Sequence, residues 1–262
     1  MRAGWVGLAS VCLAMGVGDA ALAAGPAIIA SDTSIRLGLI GGYTQVSPND
    51  GAPRGAAGGD LGGEIGISAL TDAPFGDAGL PDFYSAATYD FTSGFFSGRP
   101  DGDSGGESRS EGAIVRLGFG LPEAAGAETI PYIAGGYQAW YGNGAAGGGS
   151  DYYQAGVIGG GLKLDLAAGS LFVLSASAEG LAMFGGTVSA PSRNFNSDPG
   201  DGTEERVSLD ADYRLDEAWH AFAGIGVSHY NYNGAHGAAT GAYDSSSSTL
   251  QFNSVFGLAY GF

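Results

Sequence analysis

The sequence has one cysteine, Cys12, and one lysine, Lys163, among 262 residues. Cys12 falls in an N-terminal apolar segment that reads as removable, so the mature chain is expected to carry no thiol. Disulfide scaffolds, CxxC zinc sites and thiol nucleophiles are then excluded together, and an oxidising compartment poses no hazard. Basic side chains are scarce throughout: 10 Lys and Arg stand against 27 Asp and Glu, a net charge of −17. Nucleic-acid binding needs clustered Lys and Arg, so that class of ligand is excluded as well. Beyond the N-terminal segment there is no apolar run of the roughly 20 residues a membrane helix requires. No 3.6-residue apolar period persists long enough for a core helix.

The N-terminal segment has one basic residue, Arg2, an apolar stretch from Trp5 to Val17, and small residues ending in Ala21-Leu22-Ala23. This is the pattern of a secretory signal peptide cleaved after Ala23. A lipoprotein site would need a small residue before Cys12, where Val11 stands. The expected organisation is a signal peptide over 1–23, a short periplasmic segment over 24–33 and one all-β domain over 34–262.

What is present in quantity is glycine, 50 residues of it, with much Ser and Asp. Such a composition suggests disorder, but 13 Tyr, 13 Phe and 3 Trp accompany it, and they recur with a period. Leu250, Phe252, Phe256, Leu258, Tyr260 and Phe262 share one parity, with Gln251, Asn253, Gly257, Ala259 and Gly261 on the other. Strand side chains alternate between faces, so this is a strand with one apolar and one small or polar face. Ile35, Leu37 and Leu39 alternate with Ser34, Arg36 and Gly38, and Val207, Leu209 and Ala211 with Arg206, Ser208, Asp210 and Asp212. Ten strands are predicted, over about 34–44, 58–70, 82–92, 111–120, 129–142, 151–166, 170–185, 204–215, 218–232 and 249–262. Tight links near 167–169 and 216–217 alternate with long Gly, Ser and Asp-rich segments near 93–110, 186–203 and 233–248. Short turns on one side and long loops on the other suit a closed transmembrane β-barrel, with eight or twelve strands as the alternatives to ten.

With its Ala21-Leu22-Ala23 pattern and the terminal strand TLQFNSVFGLAYGF closing on Phe262, the chain resembles the small bacterial outer-membrane β-barrel superfamily. That group contains OmpA-type, opacity-type and omptin-type barrels, and the resemblance covers the whole mature chain. It implies an outer-membrane location, with membrane lipid and lipopolysaccharide as surroundings. It also implies that Phe262, with Tyr260 and Leu258 on the same face, is read by the barrel-assembly machinery. Tyr213, Trp219, Tyr260 and Phe262 are expected at the periplasmic interface, and Tyr43, Tyr89, Tyr141 and Phe184 at the outer one.

Parity directs Arg36, Glu64, Asp90, Arg116, Lys163, Asp165, Glu179, Asp210, Asp212, Arg214 and His220 into the lumen. Buried ions are costly unless paired, so a network of salt bridges is expected there; a charge-selective solute pathway is the sharper alternative. Ten strands leave little interior space, which favours a plugged or very narrow lumen. The outer loops are acidic, with Asp101, Asp103, Glu107 and Glu111 in one and Asp198, Asp201, Glu204 and Glu205 in or beside another. DGDSGGESRSE has acids at the first and third positions of a calcium loop but Gly112 at the twelfth, where a glutamate belongs. It is read as solvated surface, with Asp101, Asp103 and Glu107 the only metal candidates.

For catalysis there is little to point to. The histidines are His220, His229 and His236, and none lies in the Asp-x-His run that an omptin-type protease implies. A Ser, His and acid constellation cannot be picked out from the many loop serines. Gly147 to Gly149 and Gly159 to Gly161 lack the Lys-Ser or Lys-Thr pair of a phosphate loop. No cofactor is expected. The leading expectation is a non-enzymatic barrel with a structural or surface-interaction role through its acidic loops; a narrow channel comes second and an omptin-like hydrolase third.

Overall fold

The computed structural model describes residues 24–48, 56–71, 82–97, 106–123, 126–144, 149–190, 195–197, 201–233, 235–236, 243–244 and 247–262. One helix, α1 (Ala24–Asp32), precedes the strands. Ten long strands follow: β1 (Ser34–Pro48), β2 (Ala56–Thr71), β3 (Asp82–Ser97), β4 (Gly106–Glu123), β5 (Ala127–Gly144), β6 (Gly149–Ala167), β7 (Phe172–Ala190), β9 (Gly202–Arg214), β10 (Trp219–Tyr232) and β13 (Ser247–Gly261). Three short ones, β8 (Phe195–Ser197), β11 (Ala235–His236) and β12 (Tyr243–Asp244), lie in the connections.

The ten long strands form a closed antiparallel barrel. Each pairs with its neighbours in sequence, β7 pairs with β9, and the ring closes where β1 meets β13, from Ser34 opposite Gly261 to Pro48 opposite Ser247. Closure leaves no long strand with an unpaired edge, which hydrocarbon would penalise because it offers backbone groups no partner. The polarity of the two faces is the reverse of a water-soluble sandwich. Leu37 (67%), Leu61 (74%), Ile133 (68%) and Ile225 (62%) stand exposed on the outside, whereas Asp165, Glu179, Glu204 and His220 are buried within. An apolar exterior around a charged interior is the distribution a transmembrane barrel requires.

Short links gather at one end, together with the start of β1 and the end of β13. At Leu215–Ala218 the Asp216 carboxylate accepts hydrogen bonds from the backbone N–H groups of Ala218 and Trp219, both 2.8 Å, and these hold its pKa below the usual carboxylate value. The link between β6 and β7 turns at Gly169, whose φ of 88° suits glycine. At this turn end Trp219 stacks edge-on against Tyr260, with ring centroids 5.3 Å apart, and Tyr213 and Phe262 are exposed nearby.

Two features differ from the sequence expectation. Four strands, β1, β3, β4 and β7, run well past their predicted ends at the opposite, loop end: β3 continues to Ser97 and β4 begins at Gly106. Both ends of the segment near 93–110, residues 93–97 and 106–110, are therefore strand, and Tyr89 lies mid-strand rather than near an end. A span needs only about 9–11 residues, so strands of 13 to 19 residues carry the barrel beyond the apolar band. Second, residues 24–32, expected as a short segment ahead of the strands, are a helix lodged inside the barrel. Ala27 and Ile28 are buried against Leu70, Tyr84, Ala86, Ile130 and Val173. A short helix with apolar residues all round is stable only when enclosed, and the mouth of the barrel supplies the enclosure. Thr33 secures the junction, its hydroxyl donating to the Leu70 carbonyl and accepting from the Leu70 N–H at 3.1 and 3.2 Å.

Candidate functional site

Above α1 the inward-pointing residues build the lumen in layers. The first layer is centred on Lys163 of β6, whose ammonium donates to both carboxylate oxygens of Asp32 at 2.6 and 2.7 Å and to Asp165 at 2.7 Å. Asp165 is fully buried and also accepts from Ser175. The only lysine of the chain thus joins the plug helix to the barrel wall, and the Tyr84 ring lies 5.7 Å beneath its ammonium.

In the second layer the guanidinium of Arg116 on β4 makes a two-pronged bond to Glu179 on β7, at 2.7 and 3.1 Å. These strands are not neighbours, so the pair spans the lumen. Bidentate Arg–carboxylate geometry of this kind is among the stronger polar contacts. Arg206 of β9 lies 3.8 Å from Glu179 and is hydrogen-bonded to Glu204, and Gln138 of β5 donates to Glu204 across the lumen at 2.7 Å. Arg36 pairs with Glu64 at 2.9 Å and lies over the Phe222 ring. Ser208 donates to Asp210, and Asp212 is 2.6 Å from His220 Nδ1. Asp90 borders the cavity between these groups. Arg214 stands near the turn end with its Nε buried and unbonded.

A third layer crosses the lumen towards the loop end. Trp140 of β5 packs edge-on against Tyr230 of β10, and Tyr153 of β6 against Tyr232 of β10, each with centroids 5.6 Å apart. Between plug and aromatic layer lies a polar cavity of about 240 Å³, lined by Arg36, Glu64, Asp90, Arg116, Glu179 and Arg206 among others. Its volume lies below that of ordinary small-molecule pockets, about 300–1,000 Å³.

Several lumen partners escaped the sequence reading. Asp32 fell in the short N-terminal segment before the strands. Glu204 was grouped with the acidic loop, yet it is 1% exposed beside Arg206; its parity with Arg206 was the available signal. Gln138 and the ring pairs across the lumen had none, because only the closed circle brings β5 opposite β9 and β10.

On the outside, Glu107 pairs with Arg109 on β4 at 3.0 Å, while Asp101 and Asp103 lie outside the described residues. Among the described residues no group of three or more His, Cys, Asp or Glu is placed to hold a metal ion. Residues 1–23, read from the sequence as a signal peptide, also lie outside them, as does the side chain of His236.

No family model matches the sequence, and no curated protein matches it. Among solved structures the chain is similar to the outer membrane protease OmpT from Escherichia coli, with 11% identity over 87% of this chain and 95% of that one and a TM-score of 0.45. It is also similar to the translocator domain of the autotransporter NalP from Neisseria meningitidis, with 10% identity over 88% and 89% and a TM-score of 0.44. The β domain of the Bordetella autotransporter BrkA gives 16% identity over 87% and 100%, with a TM-score of 0.43. By its own geometry, a closed ring of ten antiparallel strands with an apolar exterior and a charged interior, the chain is a small β-barrel of the outer-membrane type.

Proposed function

We propose that the protein is a sealed outer-membrane barrel, exported by its signal peptide, that acts at its extracellular surface and not through its lumen. The turn end is then periplasmic and the loop end extracellular. The observation that carries this reading is the occupied lumen: α1 fills one mouth, held by the Lys163–Asp32 pair, and ion pairs and rings bridge the interior beyond it. A narrow channel is the competing reading, supported by the charged cavity.

Planar-bilayer recording on the refolded full chain separates the two, with heat-modifiable gel migration confirming folding. We expect folded, electrically silent protein; stable discrete openings would decide for the channel.

Assembly gives a second test. Phe262 is 66% exposed, so its removal costs the finished barrel little packing. Deleting Phe262 is expected to lower the yield of membrane-inserted barrel in cells while leaving stability after refolding unchanged. Gly261→Ala, whose added Cβ meets nothing closer than 3.6 Å, is the neutral control. Normal insertion without Phe262 would rule out a role as an assembly signal.

A further inference from the structure

The outward face of β9, β10 and β13 carries, near the loop end, three side chains that the closed register brings together from separate parts of the chain. Ser248 Oγ lies 2.9 Å from His229 Nε2. On the other side of the same ring, His229 Nδ1 lies 4.0 Å from Glu205 Oε2. His229 is the cross-strand partner of both Leu250 and Glu205, and Ser248 sits diagonally across from it, opposite Asn231. One row nearer the barrel's middle the partners are Phe252, Val227 and Val207, all exposed and apolar. The cluster therefore stands at the upper edge of the apolar band.

We propose that Ser248, His229 and Glu205 form a hydrolytic site for carboxylic esters of lipid-like amphiphiles, presented sideways from the outer leaflet. Nucleophilic catalysis by serine needs a base in contact with the hydroxyl and a third group that orients the base. Hydroxyl and imidazole already satisfy the first requirement. The carboxylate needs to approach by roughly 1 Å to hydrogen-bond to Nδ1–H, and catalytic bonds are commonly long before substrate binds. Glu205 is 77% exposed, free of the wall packing that would prevent that movement.

In the first half-reaction Ser248 Oγ attacks the ester carbonyl carbon while its proton passes to His229 Nε2. The carbonyl–alkoxy bond breaks, the alcohol leaves with that proton, and Ser248 holds the acyl group. Water then attacks the acyl carbon, giving up a proton through His229 and restoring the Ser248 hydroxyl, so that ester and water yield acid and alcohol. Glu205 is a positioning residue: it fixes the imidazole tautomer and stabilises the imidazolium. Asn231 is the cross-strand partner of Ser248 on this outward face, where cross-strand Cβ atoms are about 4.5–5.5 Å apart, and we assign its amide as the donor to the developing oxyanion. The acyl chain of a membrane amphiphile runs down over Phe252 and Val227, which leaves its ester level with Ser248.

This inference rests on the surface-acting reading and on its orientation, but not on a sealed lumen, so conductance of the parent chain would overturn one and leave the other standing. The test uses refolded full chain in detergent micelles, an alkyl fluorophosphonate as covalent probe, and p-nitrophenyl decanoate and acetate as substrates. We expect an adduct on Ser248 by peptide mass and faster turnover of the decanoate. Ser248→Ala and His229→Ala each lose about 100-fold or more in kcat with gel migration unchanged. Asn231→Ala is expected to cost about 100-fold, in line with the loss of an oxyanion donor. Glu205→Gln lowers kcat about 10-fold at constant KM, and Glu205→Asp restores part of it, which loss of a merely structural contact does not produce. Folded parent with neither adduct nor hydrolysis, hydrolysis that survives Ser248→Ala, or equal rates on the two esters would each overturn the proposal.

Discussion

Replacing Arg116 with alanine is expected to destabilise the folded barrel by about 3–5 kcal/mol, the usual cost of leaving one member of a buried ion pair without its partner. Glu179 is 2% exposed and receives both prongs of the guanidinium, and among the described residues the other cation paired with it, Arg206, stands farther off. Arg206 lies 3.8 Å away and is already engaged by Glu204. The change should appear as a lower urea midpoint and a lower temperature of gel-mobility conversion in micelles. Replacing both partners with apolar residues of similar volume, Arg116→Met with Glu179→Leu, should recover most of the loss, since the desolvation of both charges disappears with them. A single-variant loss under about 1 kcal/mol would instead mean that lumen water screens the pair as it does at a protein surface.

The second large effect belongs to Gly62 on β2. A Cβ added there would lie 1.8 Å from the Phe91 carbonyl oxygen on β3, so the two strands must part or the barrel must change its curvature. Over-packing costs about 1–3 kcal/mol when side chains can yield; here the obstacle is backbone held in a ladder, which places Gly62→Ala at about 3 kcal/mol or above. Refolding yield and urea midpoint read the effect. Gly41→Ala on β1 is the matched control, because its nearest contact would be 3.7 Å. Equal stability of the two variants would show that β2 and β3 are not bent together as tightly as the register implies.

The ring of strands was legible because lipid and lumen demand opposite chemistry at alternate positions. Leu37 and Leu39 against Arg36, or Val207 and Leu209 against Arg206 and Asp210, record that demand directly. The contrast fades where the strands leave the apolar band. In Gly106 to Glu111 both faces meet water, so GESRSE shows no hydrophobic alternation although backbone pairing continues through it. For the same reason Glu204 reads as one more loop acid by composition, and only its parity with Arg206 sets it apart. α1 left no trace because AGPAIIASD has no apolar stripe to read. Ser248 and His229 are 19 positions apart, and nothing in the sequence between them sets the register that makes them diagonal neighbours.

The surface that receives α1 is assembled from Leu70 on β2, Tyr84 and Ala86 on β3, Ile130 on β5, Lys163 on β6 and Val173 on β7. None of these strands offers that surface alone, and the cradle exists only once they have curled side by side. The helix precedes every strand in the chain, yet its seat is completed by strands made long after it. Until then Ile28 and Ile29 are an exposed apolar pair at the head of an unclosed sheet, a liability during folding that packing in the finished barrel removes. Docking of α1 is thus a built-in report that the wall has formed, readable as loss of solvent access at a probe placed on residue 28.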